Sequence, residues 1–192
     1  MPTLSLSRIL ALAVAIAVTA PTVPARAEGS PRAASGLRDG RHDFDFLLGR
    51  WKFWVRRLKN PLHGSREWYE MTGTSVVKPI LNGLGNIDEF KADGSDSHVS
   101  AVTIRLYSTT ARQWSIYWAN QKNGRFDVPT VGEFKDGRGE FYDQEMFEGR
   151  SILVRYIWSN ITPRSAHFEQ SFSPDGGKTW EVNWISQITR IE

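Results

Sequence analysis

Two glutamates that flank a predicted tight turn are the residue pair best placed for acid–base chemistry. Glu133 and Glu140 stand on either side of Asp136-Gly137, a dipeptide that favours a two-residue hairpin turn. That turn would place the two carboxylates directly opposite each other, where like charges repel. Facing an apolar interior, one carboxyl would have a raised pKa and suit general acid catalysis; facing water, the repulsion would be small. A three-residue loop with a bulge would separate them, and all three arrangements stay open.

Other polar residues with apolar neighbours are candidates for a role inside the protein. Asp88 shares a strand face with Asn86, and Arg155 stands between Val154 and Tyr156. A charge in such surroundings must be paired or lie near solvent. We therefore keep Arg155 as either a lumen residue or one half of an ion pair on the outer face.

The sequence lacks the residue patterns of metal sites and of activated nucleophiles. Its four histidines show no ligand spacing, and without cysteine a zinc site would rely on histidines and carboxylates alone. These histidines are His42, His63, His98 and His167. Gly-x-Ser-x-Gly, His-Glu-x-x-His and phosphate-binding glycine patterns do not occur. We predict no metal and no cofactor.

The aromatic residues fall on alternating positions, as expected for the inner face of a sheet. The segment 178–191 carries Trp180, Val182 and Trp184 on its even positions, and three other segments show the same alternation. These side chains would either fill a solid core or line a ligand cavity, and we favour a cavity. The candidate lumen residues, aromatic and polar, are Trp54, Trp68, Asn86, Asp88, Trp118, Glu133, Tyr142, Arg155, Trp158 and Trp184.

Strands and turns must position these residues, and after Gly49 the hydrophobic pattern has a period of two. We predict about ten antiparallel strands, because turn-forming pairs such as Asn82-Gly83 and Asp136-Gly137 separate the alternating segments. The predicted strands lie near 50–59, 65–77, 84–91, 98–107, 113–120, 125–134, 138–147, 150–158, 165–173 and 178–191. A meander of this length must protect its edges, and closure into a barrel does so. Ten strands enclose more space than eight.

Two local motifs complete this all-β prediction. One short helix precedes the first strand, with Asp43 or Asp45 as its cap and Gly49 at its end. Residues 173–180 match the Asp-box pattern Ser-x-Asp-x-Gly-x-Thr-Trp, in which side chains bind the amides of a turn. A single such box predicts a structural hairpin.

The first 27 residues predict a secretory signal peptide. An apolar run over 9–18 follows Arg8 and is too short to span a membrane, and Ala25-Arg26-Ala27 has the small-x-small form of a cleavage site. Residues 28–41 read as a flexible lead-in, and 42–192 as the barrel domain. Beyond residue 27 there are 22 basic and 21 acidic side chains, a net charge of +1. This balance argues against a nucleic-acid partner, and no later segment could form a membrane-spanning helix.

Several motifs together resemble one bacterial family. They are Leu84–Phe90, Trp114–Trp118, Val131–Phe134, Gly139–Tyr142 and Phe168–Phe172. The chain resembles domain of unknown function 1579 over roughly 42–190, which implies a calycin-like barrel without an established activity. Residues 46–51 are also similar to nitrobindin-type haem barrels. Their C-terminal histidine motif is absent here, because no histidine follows His167, and this argues against haem.

Three hypotheses of function follow. The leading one is a secreted or periplasmic barrel that binds a small hydrophobic or aromatic molecule in its lumen. The second is a small hydratase, isomerase or hydrolase that uses lumen carboxylates and Tyr142. The third is a solid barrel that acts through its surface.

Overall fold

A computed structural model describes residues 38–191, which belong to one compact unit. The predicted signal peptide and most of the predicted lead-in lie outside the described residues. Ten antiparallel strands make up most of the described chain. They are β1 (Gly49–Leu58), β2 (Trp68–Ile80), β3 (Gly85–Asp93), β4 (His98–Ser108), β5 (Gln113–Asn120), β6 (Thr130–Lys135), β7 (Arg138–Phe147), β8 (Arg150–Ser159), β9 (Ser165–Ser173) and β10 (Glu181–Ile191).

Each strand pairs with the next along the chain, and β10 pairs with β1, so the sheet closes into a barrel. The predicted all-β, ten-stranded calycin-like meander is confirmed. Closure gives every strand two neighbours and removes free edges. Among the described residues, no helix is long and apolar enough to cross a membrane.

The predicted N-terminal helix is a single 3₁₀ turn, Asp45–Leu47. The prediction that Asp43 or Asp45 caps it is wrong, because Phe44 occupies the N-cap position without a side-chain hydrogen bond. Both aspartates have other partners: Asp43 pairs with Arg38, and Asp45 binds His42. A second short 3₁₀ turn, Leu81–Gly83, connects β2 to β3.

The N-terminal turn plugs one end of the barrel. Phe44 and Leu47 are fully buried there, and Phe44 packs edge-on against Trp114 at 5.0 Å between ring centroids. Trp51 donates its indole N–H to the carbonyl of Leu47 at 2.6 Å, and Trp114 donates to the carbonyl of Gly40 at 2.9 Å. Odd-numbered strands begin at this plugged end and even-numbered strands finish at it, so the lumen can open only at the opposite end.

One predicted strand is markedly shorter in the structure. The segment predicted as 125–134 is a strand only from Thr130, and β6 pairs with β5 over three residues, Trp114–Ile116. At the end of the barrel away from the plug, β5 and β7 are therefore not joined by β6. Residues 121–129 form a loop at this gap, attached by an isolated bridge between Ala119 and Phe126 and by a hydrogen bond from Asp127 N to Trp118 O.

Candidate functional site

The half of the barrel away from the plug contains a cavity of about 270 Å³. Small-molecule pockets typically have roughly 300–1,000 Å³, so this cavity suits a ligand of one to three rings. Eight of the ten strands, all but β2 and β6, contribute at least two lining residues each.

Aromatic side chains form much of the cavity wall. Phe90, Trp118 and Trp184 form a triangle whose ring centroids lie 6.1–6.4 Å apart. Tyr156 and Phe168 meet edge-on at 5.2 Å within the same lining. Such rings offer apolar area and edge-to-face contacts to an aromatic guest.

A buried polar network lies on the plug side of these rings. Arg105 donates from Nη1 to Asp88 Oδ1 at 2.7 Å and to Asn86 Oδ1 at 2.9 Å. Ser75 donates to the other oxygen of Asp88 at 2.8 Å. The side chains of Arg105 and Asp88 are only 7% and 4% exposed. Inside the barrel such a charge needs a close counter-ion, and each supplies one for the other.

Three carboxylates line the cavity near its mouth: Asp127, Asp143 and Glu145. Burial, with the charges of Glu145 and Asp127, raises the pKa of Asp143 to about 7. Burial also raises the pKa of Glu145, and the charge of Asp127 raises it further. Burial and these acids also raise the pKa of Tyr156. Asp143 is therefore partly protonated near neutral pH.

A loop shields one side of this mouth. Residues 59–67 connect β1 to β2, and Leu62 in this loop packs against a buried cluster of Ile152, Val154 and Phe172. The Leu62 amide donates to Glu181 Oε1 at 2.6 Å, which fixes the loop to β10. Arg57 also lines the cavity, with its guanidinium 5.4 Å from the ring centre of Trp184, and burial lowers its pKa.

The structure brings four of the predicted lumen residues together in the cavity wall: Asp88, Trp118, Trp158 and Trp184. Asn86 is buried beside the cavity wall, where its Oδ1 accepts a hydrogen bond from Arg105. The remaining five lie on the outer face, so their predicted lumen position is wrong. They are Trp54, Trp68, Glu133, Tyr142 and Arg155.

The register of the strands explains why Trp54, Trp68 and the Glu133–Glu140 pair lie on the outer face. Trp54 is 39% exposed because it alternates with the buried Phe53 and Val55, and Trp68 packs against the guanidinium of Arg56 at 4.9 Å. Glu133 lies directly opposite Glu140 across a two-residue turn, but on the outer face. There Arg138 and Tyr142 bind Glu140 and lower its pKa, which makes Glu140 unsuited to act as a general acid.

A β-bulge reverses the face of Trp180 relative to Trp184, whereas Tyr142 and Arg155 lie outside because they alternate with the inward residues of their own strands. Ser171 pairs with Val182, but Gln170 pairs with Trp184, so Asn183 is an extra residue in β10. Even positions of β10 change face at this residue. Trp180 therefore lies outside the barrel, where Arg155 covers its ring at 4.3 Å and Tyr142 meets it edge-on at 6.1 Å.

Sequence reasoning missed Arg105, Asp143 and Glu145 as cavity residues, and it left Tyr156 out of the candidate set although Tyr156 shares a strand face with Trp158. In β4 the inward positions hold Thr103 and Arg105, whereas apolar residues such as Ile104 alternate with them and are only half-buried. One indication was available: a buried Asp88 requires a cationic partner, and Arg105 stands opposite Asn86, which shares the strand face of Asp88.

The comparisons with known proteins show the fold. The S-type phycobiliprotein lyase CPES from Guillardia theta superposes with a TM-score of 0.55 over 81% of this chain and 94% of that chain, at 9% sequence identity. No family model and no curated relative matches the chain.

Proposed function

We propose that this protein binds a small hydrophobic or aromatic molecule inside its barrel. The observation that carries this proposal is the cavity itself, which is closed at one end by the plug and lined by Phe90, Trp118, Tyr156 and Trp184. A closed barrel of this kind, shared with a lyase of similar fold, supports a small-molecule role. A ligand would enter from the end opposite the plug.

The place of action is part of the proposal. The apolar run over 9–18 and the Ala25-Arg26-Ala27 site favour export, so we place the mature barrel outside the cytoplasm, in the periplasm or secreted. The motifs that resemble domain of unknown function 1579, among them Leu84–Phe90 and Phe168–Phe172, support membership of that group as a further part of this proposal.

Fluorescence titration tests the lumen site. N-phenylnaphthylamine is neutral, apolar and emits strongly only when shielded from water, and we expect saturable enhancement with this protein. Trp118→Ala and Trp184→Ala each remove one wall of the cavity and should weaken binding at least tenfold, since burying an aromatic face contributes about 1.5–3 kcal/mol. Trp54→Ala, on the outer face, is the matched control and should bind as the wild type does. Equal affinity in all four proteins would overturn the proposal.

An acid–base enzyme is the second candidate, and Asp143 is the residue that favours it. Its carboxyl lies in the cavity with a pKa raised to about 7, as a general acid at neutral pH requires. Tyr142, the earlier candidate partner, lies on the outer face. Carbon-13 NMR titration of Asp143 checks this candidate, and an ordinary carboxyl pKa near 4 would remove its basis.

A further inference from the structure

Arg105, whose side chain lines the polar floor of the cavity, carries a hydrogen-bond donor that the described residues leave unused. Arg105 binds Asn86 and Asp88 through Nη1, but its Nε is buried and has no partner among the described residues. A buried N–H without an acceptor is costly and uncommon in folded proteins. The side chain of Arg105 is 7% exposed and contributes to the cavity lining, so a small rotation of this side chain would let a bound molecule supply the missing acceptor.

Trp158 supplies a second unused donor beside the first. It is 5% exposed and lines the cavity, and its buried Nε1 has no partner in the described part of the chain. The other two fully buried tryptophans behave differently, because Trp51 and Trp114 each donate to a backbone carbonyl. The guanidinium of Arg105 lies 5.8 Å from the ring centre of Trp158, so the two side chains that carry these donors adjoin in the floor.

We propose that Arg105 and Trp158 form a subsite for a hydrogen-bond acceptor at the inner end of the ligand. This inference rests on the proposed function and narrows its ligand class to an aromatic or alicyclic molecule that carries a carbonyl or similar neutral acceptor. The acceptor is neutral because Asp88 already balances the charge of Arg105. A carboxylate would add a second negative charge beside Asp88, and the mouth, with Asp127, Asp143 and Glu145 against Arg57 and Lys122, supplies no excess of positive charge to balance it.

A matched pair of probes separates this subsite from general apolar binding. Prodan is a neutral naphthalene ketone whose emission shifts to the red when its carbonyl accepts a hydrogen bond, and N-phenylnaphthylamine has no such acceptor. Trp158→Phe keeps an aromatic ring in place but removes the N–H. We expect this variant to bind Prodan about three- to tenfold more weakly, with blue-shifted bound emission, because one net hydrogen bond is lost. Its affinity for N-phenylnaphthylamine should stay within twofold of that of the wild type.

Arg105→Lys is the second variant, since it keeps a positive charge near Asp88 but removes the Nε donor. It should shift Prodan emission in the same direction as Trp158→Phe. Trp54→Phe makes the same chemical change on the outer face and should alter neither affinity nor emission. Circular dichroism of each variant confirms that it is folded before binding is compared.

The outcomes distinguish the two proposals. If neither probe binds in a manner sensitive to Trp118→Ala and Trp184→Ala, the proposed function fails and this inference fails with it. If both probes bind in that manner but Trp158→Phe leaves the Kd and emission of Prodan unchanged, the acceptor subsite alone is overturned. The anionic analogue of N-phenylnaphthylamine, ANS, should bind at least tenfold more weakly than its neutral parent, and tighter ANS binding would overturn the neutral-acceptor class.

Discussion

Arg105 and Asp88 form an ion pair inside the barrel, with 2.7 Å between Nη1 and Oδ1 and less than a tenth of either side chain exposed. They stand on neighbouring strands, β4 and β3, and Ser75 on β2 binds the other oxygen of Asp88. The pair therefore connects three adjacent strands at the level where the packed plug gives way to the cavity. The side chains that hold these three strands together are therefore also the ones that form the polar floor of the cavity.

Removing one partner of this pair should be strongly destabilising. Arg105→Met leaves the Asp88 carboxylate buried without a counter-ion, and we expect the free energy of unfolding to fall by about 3–5 kcal/mol in urea titrations. The double variant Arg105→Met/Asp88→Asn should lose less than the sum of its single changes, because no isolated charge remains. Arg56→Met is the control: its pair with Glu70 is exposed and longer, at 3.6 Å, so its loss should be about 1 kcal/mol or less. If the double variant lost as much free energy of unfolding as the sum of the two single variants, the coupling of Arg105 with Asp88 would be contradicted.

Asp143 should make the protein less stable as the pH rises toward neutrality. Its pKa is about 7 in the folded state, against a reference value of 3.8, so between these values the folded state holds a proton that the unfolded state has released. Stability therefore falls with rising pH across this window. Asp143→Asn should reduce the difference in Tm between about pH 5 and about pH 8, mainly by raising the Tm at the higher pH.

Asp175 provides a control of opposite sign. Hydrogen bonds from the Thr179 hydroxyl and amide and from Ser173 lower its pKa to about 2. Its stabilising effect is therefore fully present above the reference pKa of about 4 and is lost as the pH falls toward 2. Asp175→Asn should lower the Tm equally at about pH 5 and about pH 8. An identical pH profile for Asp143→Asn and the wild type would contradict the burial of Asp143.

Arg190 should be essential for holding the plug. Its three nitrogens donate to the carbonyls of Pro163, Leu48 and Phe46 at 2.7–2.8 Å, and its guanidinium lies 4.2 Å from the ring centre of Trp51. A lysine ammonium cannot reproduce this planar fork, so Arg190→Lys should cost about 2–4 kcal/mol in urea unfolding. The exposed Arg50→Lys change on β1 should cost little. Equal stability of the two variants would show that the fork contributes nothing specific.

Gly132 on β6 should tolerate no side chain. A Cβ at this position would lie 1.9 Å from the carbonyl oxygen of Glu140, which belongs to the backbone of the paired strand β7 and cannot move aside freely. Gly132→Ala should therefore lower the Tm well below that of the neighbouring Val131→Ala change, which alters an exposed residue. We expect a loss of about 1–3 kcal/mol by the usual cost of overpacking, and a neutral result would contradict the close pairing of β6 with β7.

The sequence by itself determined the strands, because alternation and turn preference are local properties, and closure into a barrel followed from the need of so long a meander to protect its edges. The pair Asp136-Gly137 adopts the two positive φ angles, 51° and 76°, that its residue types favour, and it sets Glu133 opposite Glu140. The Asp-box hairpin also forms as expected, with Ser173 and Thr179 bound to Asp175.

Only the tertiary structure decided which side of each strand faces the cavity. A side chain's face depends on registry with distant strands, and one extra residue reverses it, as Asn183 does between Trp180 and Trp184. Arg105 lies inside because Asp88 and Asn86 on the adjacent strand compensate its burial, a pairing that no local pattern specifies. The cavity's charges come together for the same reason: ion pairing and register act between strands, whereas turn preference and alternation act within them.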